Sequence, residues 1–163
     1  IFEARLVHDD FDNRFLMRLL VYCNRWQLSE VSDVVLKILD ELDSEEPLFN
    51  EFWSLLKSFD AKALPAIRRF VRAHRDSALL PYLALFLANG PPTKRKWSLL
   101  TEIFEHYPEE NDEKAHMAVS IARYGGSEAV NYLEEVVASS KHANGAYRKR
   151  LEKALATAKQ NVH

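Results

Sequence analysis

Residues 63–71 read Ala63-Leu64-Pro65-Ala66-Ile67-Arg68-Arg69-Phe70-Val71, and the spacing of Leu64, Ile67 and Val71 decides the fold. Positions i, i+3 and i+7 fall on one face of an α-helix. The same stripe stands 33 residues earlier as Val31, Val34 and Ile38, 33 residues later as Trp97, Leu100 and Phe104, and 66 residues later as Val130, Leu133 and Val137. Every one of these positions is apolar. A stripe repeated at one fixed spacing predicts an array of helical hairpins, because each copy presents a face that only its neighbours cover.

A second column set keeps the same register. Leu19, Phe52, Leu85, Ala118 and Leu151 form one line, and Tyr22, Leu55, Ala88, Ile121 and Ala154 the next. Period and punctuation then predict pairs of helices over 12–24 and 29–42, 47–59 and 61–74, 78–89 and 92–106, and 112–124 and 127–140, with a last helix over 146–159. The corresponding repeats span 12–43, 46–75, 77–107 and 111–140, and the terminal helix lies within 144–159. Ser29 and Asp60 are expected as N-caps and Pro47 sits in a first turn. Asn89-Gly90-Pro91-Pro92 and Gly125-Gly126 are the breakers. Pro65 and Pro81 are expected to bend their helices from within.

The phrase 63–71 resembles the second helix of HEAT-like repeats, and Gly126-Ser127-Glu128-Ala129-Val130-Asn131-Tyr132-Leu133-Glu134-Glu135-Val136-Val137 is similar to it. The resemblance spans nearly the whole chain as a pattern of apolar positions, without an invariant motif. Ankyrin repeats share the period, but their Thr-Pro-Leu-His turn is missing. Tetratricopeptide repeats want small residues where Phe52, Trp53, Phe86 and Trp97 stand. The HEAT-like resemblance implies an all-α, right-handed α-solenoid of about four hairpins in a single domain, whose second helices line a concave side and dock a partner.

Composition narrows the function classes. Four glycines leave no material for Gly-rich phosphate loops. The lone Cys23 excludes an internal disulfide and points to a reducing, cytoplasmic setting. The longest uncharged apolar run, 78–88, falls far short of the roughly 20 residues a membrane span needs, and no signal-peptide pattern follows Ile1. A chain opening on Ile1 is read as a piece of something longer.

Charge is banded. Ser29 to Glu51 holds eight acids against Lys37, and Lys57 to Arg75 holds six bases against Asp60. Glu102 to Glu113 is acidic and Lys141 to Lys159 basic. Within the first basic band, Arg68, Arg69, Arg72 and Arg75 are expected to form one helix face. Guanidinium forks there would pair with carboxylates or phosphates of a partner, or bridge to Asp40 and Glu41 before them and to Glu102 and Glu105 after.

Other constellations carry less. Glu113 and His116 have the Glu-x-x-His spacing of helical di-iron sites, but such sites need two copies. Glu102 and His106 form an i, i+4 pair, while Glu109, Glu110, Asp112 and Glu113 complement a helix dipole. His8, Asp9, Asp10 and Asp12 precede the first helix and suit capping. Lys94-Arg95-Lys96 is read as a solvated turn. No nucleophile triad, P-loop or Cys-x-x-Cys is present. The sequence therefore predicts a non-enzymatic protein-binding scaffold or adaptor without a cofactor or metal, one form of which is an inhibitor or immunity-type protein. The partner would carry acidic and basic patches. Phosphate-backbone binding through Arg68 to Arg75 is the alternative, opposed by the acidic bands on either side, and an enzyme with an unrecognised site comes last.

Overall fold

A computed structural model of the chain describes residues 14, 16–18, 20–22, 30–108, 111–140 and 143–161. They are helical apart from short links, with no strand among them. Eight helices follow one another: α1 (Glu30–Glu41), α2 (Pro47–Phe59), α3 (Leu64–Ala73), α4 (Leu80–Ala88), α5 (Lys94–His106), α6 (Asp112–Tyr124), α7 (Gly126–Ser139) and α8 (Gly145–Gln160). Described residues within 14–22 are helical as well. The chain divides into two compact units, 1–74 and 75–163, at the boundary between the second and third expected hairpins. Ser29 and Cys23 lie outside the described residues.

In the first unit α1 packs on both α2 and α3. Val31, Val35 and Ile38 of α1 are buried, and on the other two helices Phe52, Leu56 and Ile67 are fully enclosed. The turn from α1 to α2 closes on its own acids: the Glu45 N–H donates to Asp43 Oδ1 and the Asp43 N–H to Glu46 Oε1, each at 3.0 Å. Carboxylates of the acidic band here satisfy amides that the turn would otherwise leave unpaired. Pro47 then opens α2 at the position where a missing N–H costs nothing.

The start of α3 differs from the sequence expectation. Asp60 takes a positive φ of 47° and begins a short 3-10 turn, Asp60–Ala63, and α3 starts only at Leu64, behind Ala63 at its N-cap. Pro65 is consequently in the first turn of α3, and Pro81 in the first turn of α4. Neither proline bends a helix from within. Each restricts its predecessor and fixes its own φ, so the helix begins where the ring is harmless.

In the second unit α6 touches every other helix, α4, α5, α7 and α8. Small side chains allow it: Ala115, Ala118 and Ala122 are buried beside Met117 and Ile121. On α8, Leu151, Ala154 and Ala158 are buried in turn, and Asn161 donates through Nδ2 to the Ala122 carbonyl at 3.4 Å. Gly125, with φ 80° and ψ −173°, both ends α6 and starts α7. That backbone region is open to glycine alone, so the double glycine reverses the chain without an intervening loop.

The apolar positions of the expected columns are mostly interior. Val31, Ile38, Leu64, Ile67, Val71, Leu100, Phe104 and Leu133 are buried, while Val34, Trp97, Val130 and Val137 are partly exposed. In the second set Phe52, Leu55, Ala88, Ala118, Ile121, Leu151 and Ala154 are buried and Leu85 partly so. Tyr22 departs from its column, at 58% exposure.

Two lysines brace the links on either side of α5. Thr93 caps α5 by accepting the Lys96 N–H, and Asn111 caps α6 by accepting the Lys114 N–H, at 3.2 and 3.1 Å. Both lysines then fold back across the link. Lys96 Nζ donates to the Asn89 carbonyl and Lys114 Nζ to the Tyr107 carbonyl, each at 3.0 Å. Asn89 and Tyr107 are the C-caps of the preceding helices. An ammonium at a helix start opposes that helix's dipole, but here it meets the negative end of the helix before. Lys96 is accordingly only 5% exposed, so the solvated turn read at Lys94-Arg95-Lys96 does not hold for its third residue.

Candidate functional site

The arginine face is built on α3. Leu64, Ala66, Ile67, Phe70 and Val71 are buried and fix the rotation of the helix. Arg68, Arg69 and Arg72 then share an outward arc of about 100° at 3.6 residues per turn. Arg69 and Arg72 are exposed and Arg68 half-buried. Arg75 does not share this face, because α3 ends at Ala73 with His74 as its C-cap. It lies exposed in the link that opens the second unit.

Arg69 is held by a bidentate fork. Its Nη2 donates to Asp33 Oδ2 at 2.6 Å and its Nε to Asp33 Oδ1 at 3.2 Å. The partner is on α1, so a bridge to a preceding acid exists, here through Asp33. With side chains 59% and 34% exposed, the pair contributes about 0.2–1 kcal/mol. Its larger effect is to orient the guanidinium plane. Asp40 lies 3.6 Å from His74 Nδ1, whose ring stacks on Phe70 with centroids 4.5 Å apart.

Glu102 and Glu105 are on α5. Glu102 is half-buried, and its backbone carbonyl, in place of its carboxylate, lies 2.8 Å from His106 Nδ1. The Glu105 carboxylate accepts from the Tyr132 hydroxyl at 3.2 Å. Tyr132 lies between Trp97 and Phe104, with its ring centroid 5.7 and 6.0 Å from theirs in edge-to-face contact. Trp97 also meets Tyr124 at 5.1 Å, and the Tyr124 hydroxyl donates to the Thr93 carbonyl at 2.9 Å. Burial pushes the Tyr132 phenol well above the usual tyrosine range, and the Glu105 carboxylate adds to it, followed by Tyr147 and Glu135. Burial also raises Tyr124, with the Glu128 carboxylate adding. This aromatic cluster was not singled out in the sequence as a site, although Trp97 and Tyr132 both stand in the quoted repeat phrases or stripes.

Further ion pairs tie α8 to α6 and α7, and one lies within α8. Arg150 Nη2 meets Asp112 Oδ2 at 3.0 Å, Lys159 Nζ meets Glu134 Oε1 at 2.7 Å, and Arg148 Nε meets Glu152 Oε1 at 3.1 Å. Asp112, read as a dipole-complementing acid, thus also ties α6 to α8. Part of the banding is neutralised within each unit.

Among the described residues no three of His, Cys, Asp and Glu converge as a metal site, and Glu113 and His116 are both exposed on α6. His8, Asp9, Asp10, Asp12, Glu109 and Glu110 lie outside the described residues. A groove of about 680 Å³ in the first unit is lined by Met17, Val21, Asn50, Glu51, Ser54, Leu55 and Ser58. Its two hydroxyls donate back to their own helix, Ser54 to the Asn50 carbonyl at 2.8 Å and Ser58 to that of Leu55 at 2.7 Å, which gives neither an activating base. Among the described residues no helix is long and apolar enough to cross a membrane. No known protein family, curated protein or solved structure matches the chain.

Proposed function

We propose that the chain is a non-enzymatic protein-binding scaffold or adaptor, assembled from HEAT-like hairpins as a right-handed α-solenoid, that recognises its partner through charged second-helix surfaces. One form of this role is an inhibitor or immunity-type protein that covers a partner's working surface. The stacking inside each unit supports the architecture: second helix α3 lies on second helix α1 in the first unit, and first helices α6 on α4 and α8 on α6 in the second.

One observation carries the function. Arg68, Arg69 and Arg72 share one arc of α3 while the opposite side of that helix is locked in the core and the Asp33 fork orients Arg69, so the arc carries a concentration of guanidinium groups suited to acidic groups of a partner. Glu102 and Glu105 on α5 extend the recognition to basic groups of the same partner. Tagged protein purified from lysate of its source is expected to bring down a stoichiometric protein. Arg69→Glu with Arg72→Glu, at unchanged helicity, is expected to lose that protein. Absence of any stoichiometric partner, or one unaffected by charge reversal, refutes the reading. Retention on heparin that survives moderate salt would favour a phosphate backbone as the true ligand.

A further inference from the structure

On the second unit Trp97, Tyr124 and Tyr132 form a continuous half-buried aromatic patch, with ring centroids 5.1 and 5.7 Å from Trp97. Carboxylates stand beside its two tyrosines. Glu105 accepts the Tyr132 hydroxyl. Glu128 and Glu135, four residues before and three after Tyr132, flank it on the same face of α7 and are exposed. Rings at such distances leave no gap for a ligand to enter between them, so the usable surface is the outer faces and edges of the patch.

We infer that this patch docks an arginine-bearing segment of a partner protein, its guanidinium lying on the Trp97–Tyr132 surface and forking to Glu128, Glu135 or Glu105. The occupant follows from charge complementarity. The negative faces of electron-rich rings attract cations, a planar guanidinium stacks on them better than an ammonium does, and the carboxylates beside the two tyrosines disfavour acidic peptides and nucleic-acid backbones. The upward push of Glu105, Glu128 and Glu135 on the two phenols reflects the same negative field. Lys94, three residues before Trp97 on α5, is exposed. The inference deepens the scaffold reading by giving the partner's chemistry, and it involves none of the α3 arginines.

The test is a titration of the full chain with hexa-arginine, hexa-lysine and hexa-glutamate peptides, followed by calorimetry and by the Trp97 indole N–H resonance. Hexa-arginine is expected to bind more tightly than hexa-lysine and to shift the Trp97 signal, with hexa-glutamate inert. Glu128→Gln with Glu135→Gln is expected to weaken hexa-arginine by about tenfold, while Glu41→Gln with Glu45→Gln, an equal charge change elsewhere, alters it less than about twofold. Equal weakening by both pairs, equal binding of both cationic peptides, or a silent Trp97 overturns the proposal. So does a concentration-dependent dimer abolished by the Glu128 and Glu135 changes, which would make a second copy of the chain the occupant. Since the scaffold reading is tested through Arg69 and Arg72, either can fail alone.

Discussion

Replacing Lys96 by methionine isolates what its buried ammonium does for the fold. The side chain is 5% exposed and its Nζ donates to the Asn89 carbonyl at 3.0 Å, at the C-terminal end of α4. A hydrogen bond to a charged group contributes about 1.5–3 kcal/mol. Methionine keeps the stem and no longer desolvates a charge, which returns on the order of 1 kcal/mol, and Asn89 is exposed enough for water to take its carbonyl. Lys96→Met is therefore expected to cost about 1 kcal/mol, lowering the thermal midpoint by about 2–4 °C. Lys96→Ala removes three further methylenes at about 0.8 kcal/mol each, bringing its cost to about 3 kcal/mol. Urea unfolding followed by circular dichroism ranks wild type above Lys96→Met and Lys96→Ala lowest. If Lys96→Met equals or exceeds wild type while Lys96→Ala falls, the lysine is present for its hydrocarbon stem and the helix-end argument is refuted.

Three more outcomes follow from positions already described. Leu133→Ala, at a fully buried stripe position, is expected to cost about 2–5 kcal/mol, while Val137→Ala, one turn on and partly exposed, costs under about 1.5 kcal/mol; similar losses in chemical unfolding would contradict the burial pattern. Gly125→Ala forces a Cβ into φ 80°, ψ −173° and should cost about 1–3 kcal/mol, read as a lower urea midpoint although no atom blocks the space. Because the Tyr132 phenol titrates higher folded than unfolded, its contribution to stability is intact below about pH 10 and is lost as pH climbs from there toward the folded value. Tyr132→Phe should thus be less stable than wild type at neutral pH and recover relative to it above about pH 10; a constant difference across that range would show that the phenol does not titrate with folding.

Helix limits set by strong punctuation were legible in the sequence. Pro47 and Gly125 mark ends that no neighbouring contact can move, and the expected 47–59 and 112–124 coincide with α2 and α6. Limits set by competition were not. Asp60 and Pro65 lie close enough for either to start α3, and only the positive φ at Asp60, a property of the folded turn, decides for the later start. Most of the core could be read because apolar residues spaced along one helix face are driven inward, as Ile67, Val71, Leu100 and Leu133 are, although Trp97 and Val137 stay partly exposed. The partners of long charged side chains could not: Lys96 and Arg69 each have several acceptors within reach, and which one wins depends on where neighbouring helices bring Asn89 and Asp33. The charge bands were visible, but their partial cancellation through pairs such as Arg150 with Asp112 requires helices far apart in sequence to be set side by side. The aromatic cluster eluded the sequence for the same reason, since Trp97, Tyr124 and Tyr132 sit on three helices.

The position of α6 within its unit also governs how that unit comes apart. Every other helix of residues 75–163 leans on it, so exposing its amides to solvent requires several packing surfaces to be undone together. Deuterium uptake should then be slowest at 117–122 and should match the free energy of complete opening, whereas the outer turns of α8 exchange through cheaper, local fraying.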